Sequence, residues 1–134
     1  MEKTTEELIK GYLKKAEKKL EVSQRLLKSE DYEDAVSRAY YSVYHVAQAL
    51  LLTEGQTADT HKGVVTLFGL LFVKTGKFSR TMGKYLANLK DDRESGDYEV
   101  FSFIDKETAD VAVTEAEAFL SEGKKYLKKI GIEM

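Results

Sequence analysis

Five polar side chains recur along one segment of this chain at spacings of four, three, four and three: Asp34, Arg38, Tyr41, His45 and Gln48. At helical pitch that spacing stacks them in one narrow stripe. A carboxylate, a guanidinium, a phenol, an imidazole and an amide are all suited to directed hydrogen bonding. A water-facing helix stripe in a chain with 33% charged residues would ordinarily be built from Lys and Glu. The stripe therefore reads as facing a second subunit, a bound ligand or another helix. The plainer alternative is a ladder on a solvated face, with Asp34 and Arg38 forming an i,i+4 ion pair. A second group follows later in the chain, where Arg93 precedes Asp97 and Tyr98. An arginine placed there can anchor a phosphate, pair with Asp97 or hold the following loop.

Other chemistries find little support. The chain has two histidines, His45 and His61, and no cysteine. Neither histidine belongs to a His-x3-His or His-Glu-x2-His pair, so no metal ligand set is expected, and no cofactor. His61 reads as a cap or loop residue at a helix start. There is no Gly-x-Ser-x-Gly and no phosphate-binding Walker loop. Lys74-Thr75-Gly76-Lys77 reads as a turn. The acid-rich run from Asp91 to Glu99 lacks the spacing of an EF-hand loop.

The elements that must position these residues are helical nearly throughout. Helix one is expected from about Thr5 to Lys28, with Thr4 and Glu7 as a capping box and an apolar stripe of Leu8, Tyr12, Ala16, Leu20, Ser23 and Leu27. Asp31 is placed to cap helix two, which runs to Glu54-Gly55. Its apolar side collects Tyr32, Ala35, Val36, Ala39, Val43, Val46, Ala47 and Leu50, opposite the polar stripe. The short connection makes helices one and two antiparallel neighbours. Asp59 or Thr60 caps a third helix from about His61 to Lys74, closed by Gly76. A fourth runs from about Ser79 to Lys90 or Glu94. Ser95-Gly96-Asp97 reads as a break and Tyr98 to Ile104 as an extended connection. Asp105 caps a last helix over Lys106 to Ile130, with Ala109, Ala112, Val113, Ala116, Phe119, Leu120 and Leu127 facing inward. The expected fold is all-α, an up-and-down bundle of about five helices, in a single domain over residues 1–134.

Composition narrows the setting. No apolar run approaches the roughly 18–20 residues needed to span a bilayer. The charged N-terminus, MEKTTEELIKGYLKK, has no signal-peptide apolar region. A cytoplasmic location away from membranes is expected. A net charge of −2 argues against a non-specific nucleic-acid binder. The basic runs KKAEKK and GKKYLKKIG read as solvated helix surface, the latter suited to a helix C-terminus.

Taken together, DYEDAVSRAYYSVYHVAQALLLTEG, then His61-Lys62-Gly63, FVKTGKFSR, the RESGDY run from Arg93 to Tyr98 and the Ala-rich last helix resemble the HEPN domain, in its small stand-alone prokaryotic branch. The resemblance covers nearly the whole chain. It implies an all-α bundle that dimerises through its long helices, here a homodimer. It also implies nucleotide or RNA binding and a toxin–antitoxin-like pairing with a small nucleotidyltransferase. Many members are metal-independent endoribonucleases whose site is an Arg separated by four to six residues from a His. Arg93 matches that Arg. The His would fall at Tyr98, Glu99 or Val100, and none of these is His. A phenol ordinarily holds its proton at neutral pH, with a pKa of about 10, and is a poor substitute for imidazole in proton transfer. The expectation is therefore a binding module, with two alternatives: a ribonuclease toxin whose site is a variant one, and a structural dimeric adaptor.

Overall fold

A computed structural model describes residues 1–98, 100 and 103–133. Its helices are α1 (Lys3–Lys28), α2 (Tyr32–Thr53), α3 (His61–Phe68), α4 (Arg80–Tyr98) and α5 (Lys106–Lys129). Among the described residues there is no strand. The expected five-helix bundle is the architecture observed.

Helix α2 is the central element, packed by α1, α5, α4 and α3. Its run of small and branched residues makes this possible. Ala35, Val36, Ala39, Val43, Val46, Ala47 and Leu50 are fully buried, and Tyr32 packs against them partly exposed. Close approach reaches its limit at Gly123 of α5, where an added Cβ would lie 2.5 Å from Cγ1 of Val46. The Ser42 hydroxyl donates to the Ala16 carbonyl across 2.8 Å and satisfies a buried polar group where α1 crosses.

The α1 stripe is rotated from the expected one. Ile9 and Leu13 are buried beside Ala16 and Ser23, whereas Leu8 is 51% exposed and Tyr12, Leu20 and Leu27 are only partly covered. The cause is that α1 touches α5 as well as α2, so its buried face is centred between two neighbours. The Thr4–Glu7 capping box does not form. The helix begins earlier, at Lys3, with Glu2 as cap and no side-chain bond, which puts Thr4 inside the first turn.

Caps expected elsewhere are present. Thr60 accepts from the Gly63 amide at 2.9 Å, and Asp105 accepts from the Thr108 amide at 2.8 Å. Asp31 occupies the cap position of α2, but its carboxylate takes the Ser29 hydroxyl instead. Gly55 and Gly76 adopt φ of +68° and +80° after their helices, the left-handed conformation that favours glycine. Helix α3 continues to Val73 through a π turn over Gly69–Val73, in which the Lys74 amide donates to the Gly69 carbonyl. Phe68 and Phe72 stack across this turn at 5.6 Å and join Phe78, Phe119 and Tyr126 in an aromatic cluster.

The largest departure is at α4. Ser95-Gly96-Asp97 does not break the helix, which runs unbroken to Tyr98. Gly96 serves a packing purpose: a Cβ there would meet Cγ1 of Ile104 at 3.3 Å, where the chain returns toward α5. Tyr98 is thus a helix residue. Of the expected extended connection, Glu99, Phe101 and Ser102 lie outside the described residues, and Phe103 and Ile104 are non-helical. No helix among the described residues is long and apolar enough to cross a membrane.

Candidate functional site

Helices α2 and α4 enclose the Arg93 guanidinium. Arg93 is 5% exposed. Its Cζ lies 5.4 Å from each of three ring centroids: Tyr40 and Tyr41 of α2, and Tyr98 at the end of α4. Nη1 donates to the Tyr41 hydroxyl at 3.1 Å and to the Tyr98 hydroxyl at 3.4 Å. The carboxylate of Asp97, one turn further on, stands 3.6 Å from Nη1 and also meets the Ser37 hydroxyl at 3.5 Å. The buried Nε has no partner. A guanidinium taken out of water is costly unless its charge and donors are matched. Ring faces and phenolic oxygens supply part of that match. Burial disfavours the cation, but Tyr41, Tyr98 and Asp97 together outweigh it and raise the Arg93 pKa, while Nε keeps an unused donor.

Helix α3 brings His61 to the same rings. The Tyr40 hydroxyl and His61 Nδ1 are 2.6 Å apart. The imidazole centroid lies 5.5 Å from Tyr40, 6.1 Å from Tyr41 and 5.0 Å from Tyr44. Burial lowers the His61 pKa below its ordinary value, and Arg93 and Lys90 lower it further against an opposing effect of Glu94. Burial outweighs Arg93 at Tyr40 and pushes its phenol well above the usual range, so it stays protonated. An open depression of about 510 Å³, lined by Asp91, Arg93, Glu94, Ser95 and Tyr98, lies beside the guanidinium. Glu94 is tied to Lys90 at 2.8 Å.

The polar stripe of α2 divides along its length. Tyr41 turns toward Arg93. Gln48 is buried and structural: its amide donates to the Tyr44 hydroxyl at 3.1 Å and to the Ala58 carbonyl at 3.0 Å, tying the loop before α3 to α2. His45 leans the other way, stacked on Tyr12 of α1 at 6.0 Å, with Nδ1 buried and unpartnered. Burial, reinforced by Lys15 and Lys19, holds its pKa down to about 4. Asp34 and Arg38 are exposed and form no ion pair with each other. Arg93, Tyr41, Asp97 and Tyr98 are therefore brought together, while Asp34 and Arg38 lie outside that cluster and His45 sits at its edge, 6.5 Å from the Tyr41 ring and 5.6 Å from the Tyr44 ring.

Tyr40, Tyr44 and His61 belong to the cluster and were not singled out from the sequence as site residues. The tyrosines at 40, 41 and 44 were a visible signal, an aromatic run on a helix whose other residues are small. His61 carried none beyond its place at a helix start. Among the described residues no group of three His, Cys, Asp or Glu is arranged to hold a metal ion. The basic C-terminal run is partly neutralised, with Lys124 on Glu17 at 3.1 Å and Lys125 near Glu122 at 3.7 Å.

Comparison with known proteins agrees with this architecture. Residues 9–126 match the family model described as HEPN domain. Two proteins of Methanocaldococcus jannaschii are similar over most of their length. "Putative toxin MJ0142" is 38% identical over 115 residues, 86% of this chain and 78% of that protein. "Putative toxin MJ0605" is 35% identical over 130 residues, 97% of this chain and 96% of that protein. A Thermotoga maritima "UPF0332 protein" is 32% identical over 125 residues, 93% and 95% of the two chains. The crystal structure of TT1696 from Thermus thermophilus has a TM-score of 0.77 at 19% identity, covering 89% of this chain and 98% of that one, a likeness of fold alone.

Proposed function

This chain belongs to the HEPN domain family, and on that premise we propose that it is the binding member of a toxin–antitoxin-type pair, holding one phosphoryl group of a nucleotide or RNA at Arg93. The observation that carries the reading is the Arg93 guanidinium itself, buried, stacked among three rings and left with an unpartnered Nε. An anion would complete that pairing. The surrounding Asp91, Glu94 and Asp97 oppose a dense polyanion and favour a single phosphoryl group. The toxin names of two relatives support the paired setting. In this reading the partner is a small nucleotidyltransferase and the location is the cytoplasm. A homodimer forms through the α2 face where Asp34 and Arg38 are exposed and Tyr41 and His45 half-buried.

Binding without turnover is favoured over a ribonuclease toxin. The side chain that bonds Arg93 from five residues further along the chain is Tyr98 rather than a histidine, and cleavage through the ribose 2′-hydroxyl needs proton transfer at both the attacking and leaving oxygens. Isothermal titration of the full chain with adenosine monophosphate and with inorganic phosphate tests the reading. Saturable binding is expected, weakened about tenfold or more in Arg93→Ala. Arg93→Lys should not restore it, because an ammonium lacks the planar stack and fork of donors. Absence of binding at millimolar ligand overturns the anion site. Metal-free RNA cleavage that disappears in Arg93→Ala overturns the non-enzymatic reading and makes the protein a nuclease.

A further inference from the structure

His61 is separated from Arg93 by more than thirty residues of chain, yet the two flank the same aromatic surface. The Arg93 Cζ lies 5.4 Å from the Tyr40 centroid and the His61 ring 5.5 Å from it; the corresponding distances to Tyr41 are 5.4 Å and 6.1 Å. The charged groups that bear on His61 are Arg93, Lys90 and Glu94, all of α4. His61 and the guanidinium thus share the Tyr40 and Tyr41 rings as common neighbours.

Its two nitrogens have different fates. Nδ1 is held by Tyr40. The Tyr40 phenol keeps its proton and among the described residues has no other hydrogen-bond partner, so it donates and Nδ1 accepts. A neutral imidazole that accepts at Nδ1 carries its hydrogen on Nε2. Among the described residues the buried unpartnered side-chain atoms are His45 Nδ1 and Arg93 Nε, so the His61 Nε2 is not enclosed. Among the described residues it has no acceptor either.

We propose that His61 is part of the Arg93 site as a neutral hydrogen-bond donor, its tautomer set by Tyr40 so that Nε2–H meets an oxygen of the phosphoryl group held by the guanidinium. This rests on the reading of Arg93 as an anion anchor. It deepens that reading by naming a second contact from a different helix and by fixing its chemical role. An imidazole in this tautomer has no lone pair at Nε2, so it binds a phosphoryl oxygen and does not remove a proton from a ribose hydroxyl. Tyr40 is a positioning residue, acting through His61.

Nitrogen-15 spectra of the full chain labelled at histidine and arginine read the tautomer directly, before any ligand is added. His61 should show a protonated Nε2 and an unprotonated Nδ1. Titration with inorganic phosphate should then shift His61 Nε2 together with Arg93 Nε. His61→Ala should weaken phosphate binding about fivefold to tenfold, and His61→Gln, which keeps an amide donor in a similar place, should recover most of it. Tyr40→Phe should give a mixed tautomer in the folded protein. A protonated Nδ1 in the wild-type chain overturns the proposal without any variant. A response at Arg93 with none at His61 removes His61 and leaves the anchor standing. Silence at both removes the anchor and the proposal with it.

Discussion

Tyr40 and His61 join the middle of α2 to the first residue of α3 through a contact of 2.6 Å between hydroxyl and Nδ1. Tyr40 is fully buried and His61 partly exposed, so the bond is shielded from water on the phenol side. Tyr40→Phe removes the donor and strands the imidazole acceptor. A loss of about 1–2 kcal/mol in urea unfolding is expected, with the slope against denaturant unchanged. A variant as stable as wild type would show that solvent satisfies Nδ1.

His45 sets a pH dependence. Its folded pKa of about 4 lies below the ordinary value of 6.5, so the unfolded chain binds a proton between those pH values that the folded one does not. Stability contributed by neutral His45 is complete above pH 6.5, falls as pH drops from 6.5 to 4, and levels off below. The contribution is on the order of 2–3 kcal/mol for a group buried at one nitrogen only. Replacing His45 with Gln should flatten that part of the stability curve. A His45 proton titration near 6.5 by NMR would contradict the burial.

Arg38 separates a solvated face from an interface. Within one chain it is exposed and unpaired with Asp34, so Arg38→Ala should change monomer stability by no more than about 0.5 kcal/mol. If α2 meets a second copy, the same variant should shift the dimer equilibrium in sedimentation or light scattering. A monomeric mass for the wild type across micromolar concentrations would remove the interface.

Gly123 tests the closeness of α2 and α5. The added methyl of Gly123→Ala would press on Cγ1 of Val46, a branched and fully buried side chain with little freedom to turn away. Thermal unfolding should show a loss of about 1–3 kcal/mol, even though alanine is the better helix former. An unchanged or higher midpoint would mean that the helices separate at little cost.

The bundle was legible because its signals are local. The apolar side of α2 follows from helical periodicity, and the caps at Thr60 and Asp105 from residue type. The end of α4 was not legible, since Ser95-Gly96-Asp97 has the composition of a turn while Ile104, further along the chain, decides that a residue without a Cβ belongs inside the helix. The stripe on α2 is unusual in its residue types, but neighbours assign its members. Gln48 went to a loop carbonyl, Tyr41 to Arg93 and His45 to Tyr12. Helical spacing says which residues share a face and nothing about which helix each one meets. His61 was out of reach for the same reason.

The last turn of α4 is wound from Ser95, Gly96 and Asp97, residues that would unwind in an isolated peptide. Its persistence depends on what lies around it, including the contact of Tyr98 and Asp97 with Arg93. A protease needs this segment as an extended strand before it can cut. Cleavage between Ser95 and Tyr98 and the integrity of the Arg93 cluster are therefore two readings of one local equilibrium. The susceptibility of the peptide bonds in that turn reports whether the site is assembled.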